Sequence, residues 1–456
     1  MTAEWQTVRI GDQGKVVTGK TPSTAVSENF GGNYPFITIP DLDGRREITA
    51  SARTLSELGA QAMRSCRLPA GAVMMSCIAT IGKCGITTRA SFTNQQINSL
   101  ICKDGVDPKF VYYSFSQLGK ALEAAGGGGS VYTNVSKSRF ESIEIKIPSL
   151  QTQKAIVAIL VKLDDKIESN RRINQTLEAM AQALFKSWFV DFDPVRAKIA
   201  ATAEGRDPMR AAMSAISGKP DAELDTLPPE ALKQLAATAS LFPDEMEESE
   251  LGEIPRGWAC GTFGELATLV KGSVNPLLSP DIAFEHYSLP AFDAGKQPVI
   301  EKGSEIKSNK TRFTEGVVLH SKLNPHIPRV WFPFSVGSNA VCSTEFLPWM
   351  ATAPATPEFV YCLLTSPSFE ILIRGLVTGT SNSHQRVKPD QVANLPVVVP
   401  CGDLFDIFSA ASATSFSFIG KGIEQISSVA ALRDTLLPKL LSGELSVTEA
   451  MAEAEA

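Results

Sequence analysis

The chain repeats itself, so whatever fold serves its first half must also serve its second. Setting Trp5 over Trp258, an offset of 253, brings Gly11 onto Gly264, Asp12 onto Glu265 and Gly19 onto Gly272. Further along, GAVMMS (Gly71 to Ser76) resembles GVVLHS (Gly316 to Ser321) at an offset of 245. PKFVYY (Pro108 to Tyr113) resembles PEFVYC (Pro357 to Cys362) at 249, and IEIKIP (Ile143 to Pro148) resembles LPVVVP (Leu395 to Pro400) at 252. These matches are collinear, and their offsets drift only as loop insertions would make them.

Each half runs in the same order. Short β-like stretches come first, punctuated by Pro and turn residues. They are VMMSCIATIG, FTNQQINSLICK and IEIKIP in one half, and VVLHSKL, RVWFPF and LPVVVP in the other. A long helical segment follows. In the first half Ile156, Leu160, Leu163, Ile167, Asn170, Asn174, Leu177, Ala181 and Leu184 fall at alternating steps of four and three, the period of a coiled-coil seam. Asparagines on such a seam fix register at some cost in stability. The second half places Ile419, Ile426, Val429 and Leu436 equivalently, and Gly420, Gly422 and Arg433 are expected to weaken that seam. A helix of about 35 residues is roughly 50 Å long. Two such helices running in opposite directions would carry a globular domain at each end. The competing arrangement is two unrelated amphipathic helices, each packed on its own domain; their matching places in the repeat favour the pair.

GKVVTGKT (Gly14 to Thr21) fits the phosphate-loop pattern G-x-x-x-x-G-K-[ST]. That pattern needs a buried strand leading in and a helix N-terminus leading out. Here a polar QTVRIGDQ leads in and Pro22 follows, which biases Thr21 away from helix. The second copy, ATLVKGSV, keeps the glycine and loses the Lys-Thr pair. A shared glycine turn fits both copies; a nucleotide site fits neither.

No other catalytic constellation emerges. Asn324-Pro325-His326-Ile327 falls short of the Asn-Pro-Pro-aromatic motif of a methyltransferase, and no glycine-rich turn suits S-adenosylmethionine. Pro40-Asp41 with Glu144 and Lys146 would be a weak nuclease set. The four histidines (His286, His320, His326, His384) show no metal-ligand spacing. Eight scattered cysteines without CxxC pairing suggest a reducing cytoplasm, and no apolar run suits a membrane span. The net charge of −6 also misleads, because twelve acids lie between Glu204 and Glu253. Residues 1–150 carry sixteen Lys and Arg against twelve Asp and Glu, so the first globular part is mildly basic and compatible with DNA.

Several stretches resemble the specificity subunits of type I restriction–modification systems. They are GKTP (Gly19 to Pro22), SELGEIPRGW (Ser249 to Trp258), NPHIPRVW (Asn324 to Trp331), FKSWFVDFDPVRAK (Phe185 to Lys198) and LRDTLLPKLLSGEL (Leu432 to Leu445). The resemblance implies an α+β fold: two similar mixed α/β target-recognition domains joined by two long antiparallel coiled-coil helices in a pseudo-twofold arrangement. It places the first recognition domain at 1–150, the first long helix at 151–196 and an acidic Ala/Pro-rich insert and linker at 197–256. The second recognition domain falls at 257–402, the second helix at 403–445 and a disordered tail at 446–456. It further implies a non-catalytic chain that reads a bipartite duplex target, one half per domain, and docks methyltransferase and restriction subunits through its helices. No cofactor is expected on this chain; S-adenosylmethionine, ATP and Mg would belong to those partners.

Contact residues are expected from chemistry: amides, hydroxyls and Arg or Lys for base edges, Lys and Arg for phosphates. In the first domain the candidates are Lys20, Thr21, Thr80, Lys83, Asn94, Gln95, Gln96, Ser130, Tyr132, Asn134 and Lys137. In the second they are Lys271, Ser273, Lys322, Asn324, Arg329, Ser381, Asn382, His384, Gln385 and Arg386. The alternatives are a self-sufficient P-loop NTPase or nuclease using Gly14 to Thr21, and a coiled-coil scaffold without a nucleic-acid role.

Overall fold

A computed structural model describes residues 5–78, 80–126, 134–377 and 385–455. The chain forms two compact units, Met1–Ser169 with Gln425–Ala456, and Asn170–Glu424.

The first unit is built on a five-stranded sheet in the order Gly14–Thr18, Ile97–Cys102, Val73–Ser76, Cys84–Thr87, Glu47–Ile48. Its central strand is buried on both faces, so the period-two alternation of side chains is hidden in a continuous apolar run. Val73 and Met75 enter one core with Leu100, Phe110 and Tyr113, whereas Met74 enters another with Phe36 and Phe92. The helix Pro108–Gly126 covers the first face. It starts where it does because the Asp107 carboxylate accepts the Lys109 and Phe110 backbone N–H groups (2.8 and 3.2 Å), with Pro108 next in the chain, where a helix tolerates it. Gln6–Arg9 pairs antiparallel with Glu144–Ile147, just before the first long helix.

The second unit repeats this order. Ala267–Leu269, Phe346–Ala351, Val317–Ser321 and Val330–Trp331 form its central sheet, and Ala259–Thr262 pairs with Pro396–Val399. Val318 faces one core while Val317 and Leu319 face another. The helix Pro357–Leu364 begins on Thr356, whose hydroxyl accepts from Phe359 N (3.3 Å), again with proline at the first helical position. The units differ in their second sheets. The first has three strands (Arg53–Leu55, Phe30–Ile37, Phe92–Thr93), and the second has five, ending at the edge strand Val299–Lys302.

The two long helices, Leu150–Phe189 and Asp403–Ser442, pack antiparallel. Within the second unit the Asn174 carboxamide donates to the Ile419 carbonyl (3.3 Å), and Phe185 and Trp188 meet Phe408 (5.8 and 6.2 Å between ring centres). Residue numbers therefore rise on one helix as they fall on the other. Within the first unit Ile156 and Leu160 share a core with Leu436, Leu437 and Leu440. There the Asp164 carboxylate accepts from Arg433 (2.9 Å) and from the Tyr113 hydroxyl (2.5 Å), with Arg46 at 3.5 Å. Of the seam positions, Ile156, Leu160, Ile167, Asn170, Ile419 and Leu436 are buried, whereas Leu163, Leu177, Leu184, Ile426 and Val429 are half-buried.

The structure corrects several of these expectations and removes the phosphate-loop alternative. Gly422 does not weaken the seam: a Cβ there would lie 2.3 Å from the Asn174 carboxamide oxygen, so glycine is what lets Asn174 approach. GKVVTGKT is no phosphate loop, because Gly14–Thr18 is a strand paired along its length with Ile97–Cys102. The Lys20 N–H is already donated to the Thr93 carbonyl (3.0 Å), and a Cβ on Gly19 would sit 2.2 Å from the Asn94 carbonyl. Gly272 meets nothing at its Cβ, so that close approach belongs to the first copy alone. The acidic segment after the first long helix forms short helices, and these enclose a small core of Ala212, Met213, Leu224 and Ala239. The tail is not disordered either, since Val447–Glu455 is a helix with Ala450 fully buried.

Candidate nucleic-acid interface

In the first unit the candidate residues converge on one end of the sheet. The loop after Val73–Ser76 is shaped by the Ser76 hydroxyl, which donates to the Thr80 carbonyl and accepts from Lys83 N (2.5 and 2.9 Å). The same loop accepts Val135 N at the Cys77 carbonyl (2.8 Å), and Cys77 N donates to the Gln96 carbonyl (2.8 Å). The Thr21 hydroxyl donates to the Gln95 side chain (2.7 Å), and the Asn94 amide to Gln96 (2.9 Å). Lys20, Thr21, Thr80, Lys83, Asn94, Gln95, Gln96 and Asn134 are thus brought into one set of neighbouring loops. Lys137 follows on the next helix, where it pairs with Glu141 (3.6 Å). Lys20 and Lys83 are exposed and, among the described residues, unpaired.

The second unit closes its loops with the equivalent bond, from Val387 N to the Lys322 carbonyl (3.0 Å), and Asn324 N donates to Gln385 O (2.8 Å). Lys322, Asn324, Gln385 and Arg386 meet there; Leu323 and Arg386 form a bridge. Two arginines arrive already engaged. Arg329 holds Asp293 through two hydrogen bonds (2.7 and 2.9 Å), and Arg386 holds Glu345 (3.0 and 3.2 Å), which raises the Arg386 pKa. To reach a base or phosphate, each must exchange a carboxylate for it. Lys271 and Ser273 are exposed on the run between Ala267–Leu269 and Ser273–Val274, outside this cluster of bonds. Ser130, Tyr132, Ser381, Asn382 and His384 lie outside the described residues.

The nuclease set does not assemble. Both Asp41 carboxylate oxygens are spent on a turn, accepting Thr38 N (2.8 Å), the Thr38 hydroxyl (2.7 Å) and Ala52 N (2.7 Å). Among the described residues no group of three His, Cys, Asp or Glu could hold a metal ion. His320 is buried in the second unit, and desolvation pushes its pKa down to about 4. The residues missed from sequence are those behind the loops, above all Asn98, buried among Thr18, Cys77 and Val135.

The family described as the type I restriction modification DNA specificity domain matches residues 2–179. The MjaIX specificity subunit of a type I restriction enzyme from Methanocaldococcus jannaschii is 28% identical over 98% of this chain and 94% of its own. The HindI specificity subunit from Haemophilus influenzae is 31% identical, covering 67% of this chain and 69% of its own. This chain belongs to the specificity subunits of type I restriction enzymes. A crystal structure of a type I restriction–modification S subunit from M. genitalium aligns with 96% of each chain at 14% identity and a TM-score of 0.48. Specificity subunits are the non-catalytic, DNA-recognising components of these systems, and DNA target recognition is the role of this one. No helix of this specificity subunit is long and apolar enough to cross a membrane among the described residues.

Proposed function

We propose that each unit reads one half of a split duplex target, and that the paired long helices dock methyltransferase and restriction subunits. The observation that carries this reading is the shared loop closure, Val135 N to Cys77 O in one unit and Val387 N to Lys322 O in the other. It places lysines and carboxamides at the same end of the same sheet twice: Lys20, Lys83, Asn94 and Gln96, then Lys322, Asn324 and Gln385. Carboxamides suit base edges and lysines suit phosphates. Docking is supported by apolar side chains left exposed on the long helices, namely Ile173, Met180 and Phe418. In this reading the specificity subunit binds no cofactor, and S-adenosylmethionine, ATP and Mg belong to its partners.

Phosphate contacts show themselves in salt dependence, each contributing about 0.9 to the slope of log affinity against log salt. The chain in complex with its methyltransferase, carrying Lys20→Ala and Lys83→Ala together, is expected to lose between about 1 and 2 from that slope on duplex DNA. An unchanged slope would remove these loops from the interface.

A further inference from the structure

Asn98 stands at the start of Ile97–Cys102, 2% exposed, and all its hydrogen bonds run to segments distant in sequence. Its carboxamide oxygen accepts the Thr18 hydroxyl (2.6 Å), at the end of the strand that leads into Lys20 and Thr21. Its amide donates to the Cys77 sulfur (3.3 Å), at the root of the loop bearing Thr80 and Lys83, and to the Val135 carbonyl (3.2 Å), beside Asn134. One buried group therefore ties together the roots of three loops that carry candidate contacts. A carboxamide suits this task because it donates and accepts at once, in a plane that fixes the directions of its partners. Buried and satisfied, it adds geometric definition more than net stability, since its bonds largely replace bonds to water.

The second unit arranges the same place differently. Asn98 lies opposite Met75 in the ladder, and the equivalent pair is Leu347 opposite His320. The apolar and polar partners have changed strands, so a leucine at position 98 is a side chain that the repeated fold accepts.

We infer that Asn98 is the positioning residue of the first reading site, setting the relative geometry of the Lys20, Thr80 and Asn134 loops and so the discrimination of one half of the target. This inference rests on the proposed division of the target between the units. Asn98 itself lies behind the loops, and its effect passes through their geometry.

The test is selection from a pool of random-sequence duplexes, with the full chain in complex with its methyltransferase. The wild-type chain should enrich a two-part motif. Asn98→Leu is expected to lose about tenfold of the preference for the best over substituted bases in one half, as one well-made base contact is worth, and to keep the other half within twofold. Ser99→Ala removes a buried hydroxyl that has no hydrogen-bond partner among the described residues, one residue away and facing the opposite core, and should leave both halves unchanged. Thr18→Val deletes only the bond to the carboxamide oxygen and should give a smaller loss in the same half, which keeps the inference testable if Asn98→Leu does not fold. An unaltered two-part motif in both variants would overturn the inference while leaving the division of the target intact, and equal loss in both halves would also overturn it. A wild-type pool with no two-part motif would overturn the division of the target and this inference with it.

Discussion

Replacing Phe359 with alanine will destabilise the second unit by about 4 kcal/mol, the usual cost of emptying a buried phenylalanine site. Phe359 sits in the first turn of the helix Pro357–Leu364, 1% exposed. Its ring meets Phe405, Phe189, Phe185 and Phe408 at 4.6, 5.0, 5.1 and 6.2 Å between centres. Two of these rings come from each long helix, so no single element can move in to fill the space, and the cavity term adds to the lost transfer energy. For a unit of this size the midpoint of thermal unfolding should fall by roughly 10 °C. The control is Ile371→Ala, at a side chain 69% exposed, expected to change stability by no more than about 0.5 kcal/mol. A fall below about 1 kcal/mol for Phe359→Ala would show that this aromatic cluster does not hold the unit together.

Acid should weaken the second unit through His320, and His320→Met should abolish that sensitivity. His320 is 6% exposed on Val317–Ser321, and its Nδ1 has no hydrogen-bond partner among the described residues. Desolvation lowers its pKa from 6.5 to about 4 in the folded chain. Between those two values the unfolded chain binds a proton that the folded chain refuses, so stability rises with pH across the window. The contribution is fully present above pH 6.5 and is lost as pH falls through 6.5 toward 4, by at most about 3 kcal/mol. Methionine is the chosen replacement because Met75 occupies the equivalent position in the first unit. At neutral pH, His320→Met also removes an unsatisfied buried nitrogen and should be neutral or stabilising. Urea titrations of both proteins at pH 7.5 and 5 measure the difference; equal pH dependence in the two would contradict this account.

What could be read from the sequence was whatever depends on neighbours along the chain. The collinear matches such as PKFVYY with PEFVYC announce one fold built twice, because a repeat is legible along the chain itself. The heptad steps from Ile156 to Leu184 announce a helix with an apolar stripe for the same reason. Gly422 misled because its purpose, room for Asn174, lies on the other helix some 250 residues away in sequence. The C-terminal helix, expected as a disordered tail, is legible only in the last stretch of the repeat. At an offset of 252, Val447 falls on Val195 and Ala450 on Lys198, and of these Val195, Lys198 and Ala450 are buried. Asn98 was invisible because nothing local distinguishes an asparagine in a strand; its partners lie 80, 21 and 37 residues away. Arg329 and Arg386 drew notice for their chemistry, but the carboxylates that occupy them, Asp293 and Glu345, come from other elements of the unit.

The claim on which the rest depends is that each unit reads its own portion of the DNA. Its most direct test is base-resolution mapping of methylation in cells that express the cognate methyltransferase with a chain whose residues 1–150 come from another specificity subunit. The account predicts a methylated motif with one half replaced and the other kept. A motif changed in both halves, or in neither, would contradict it.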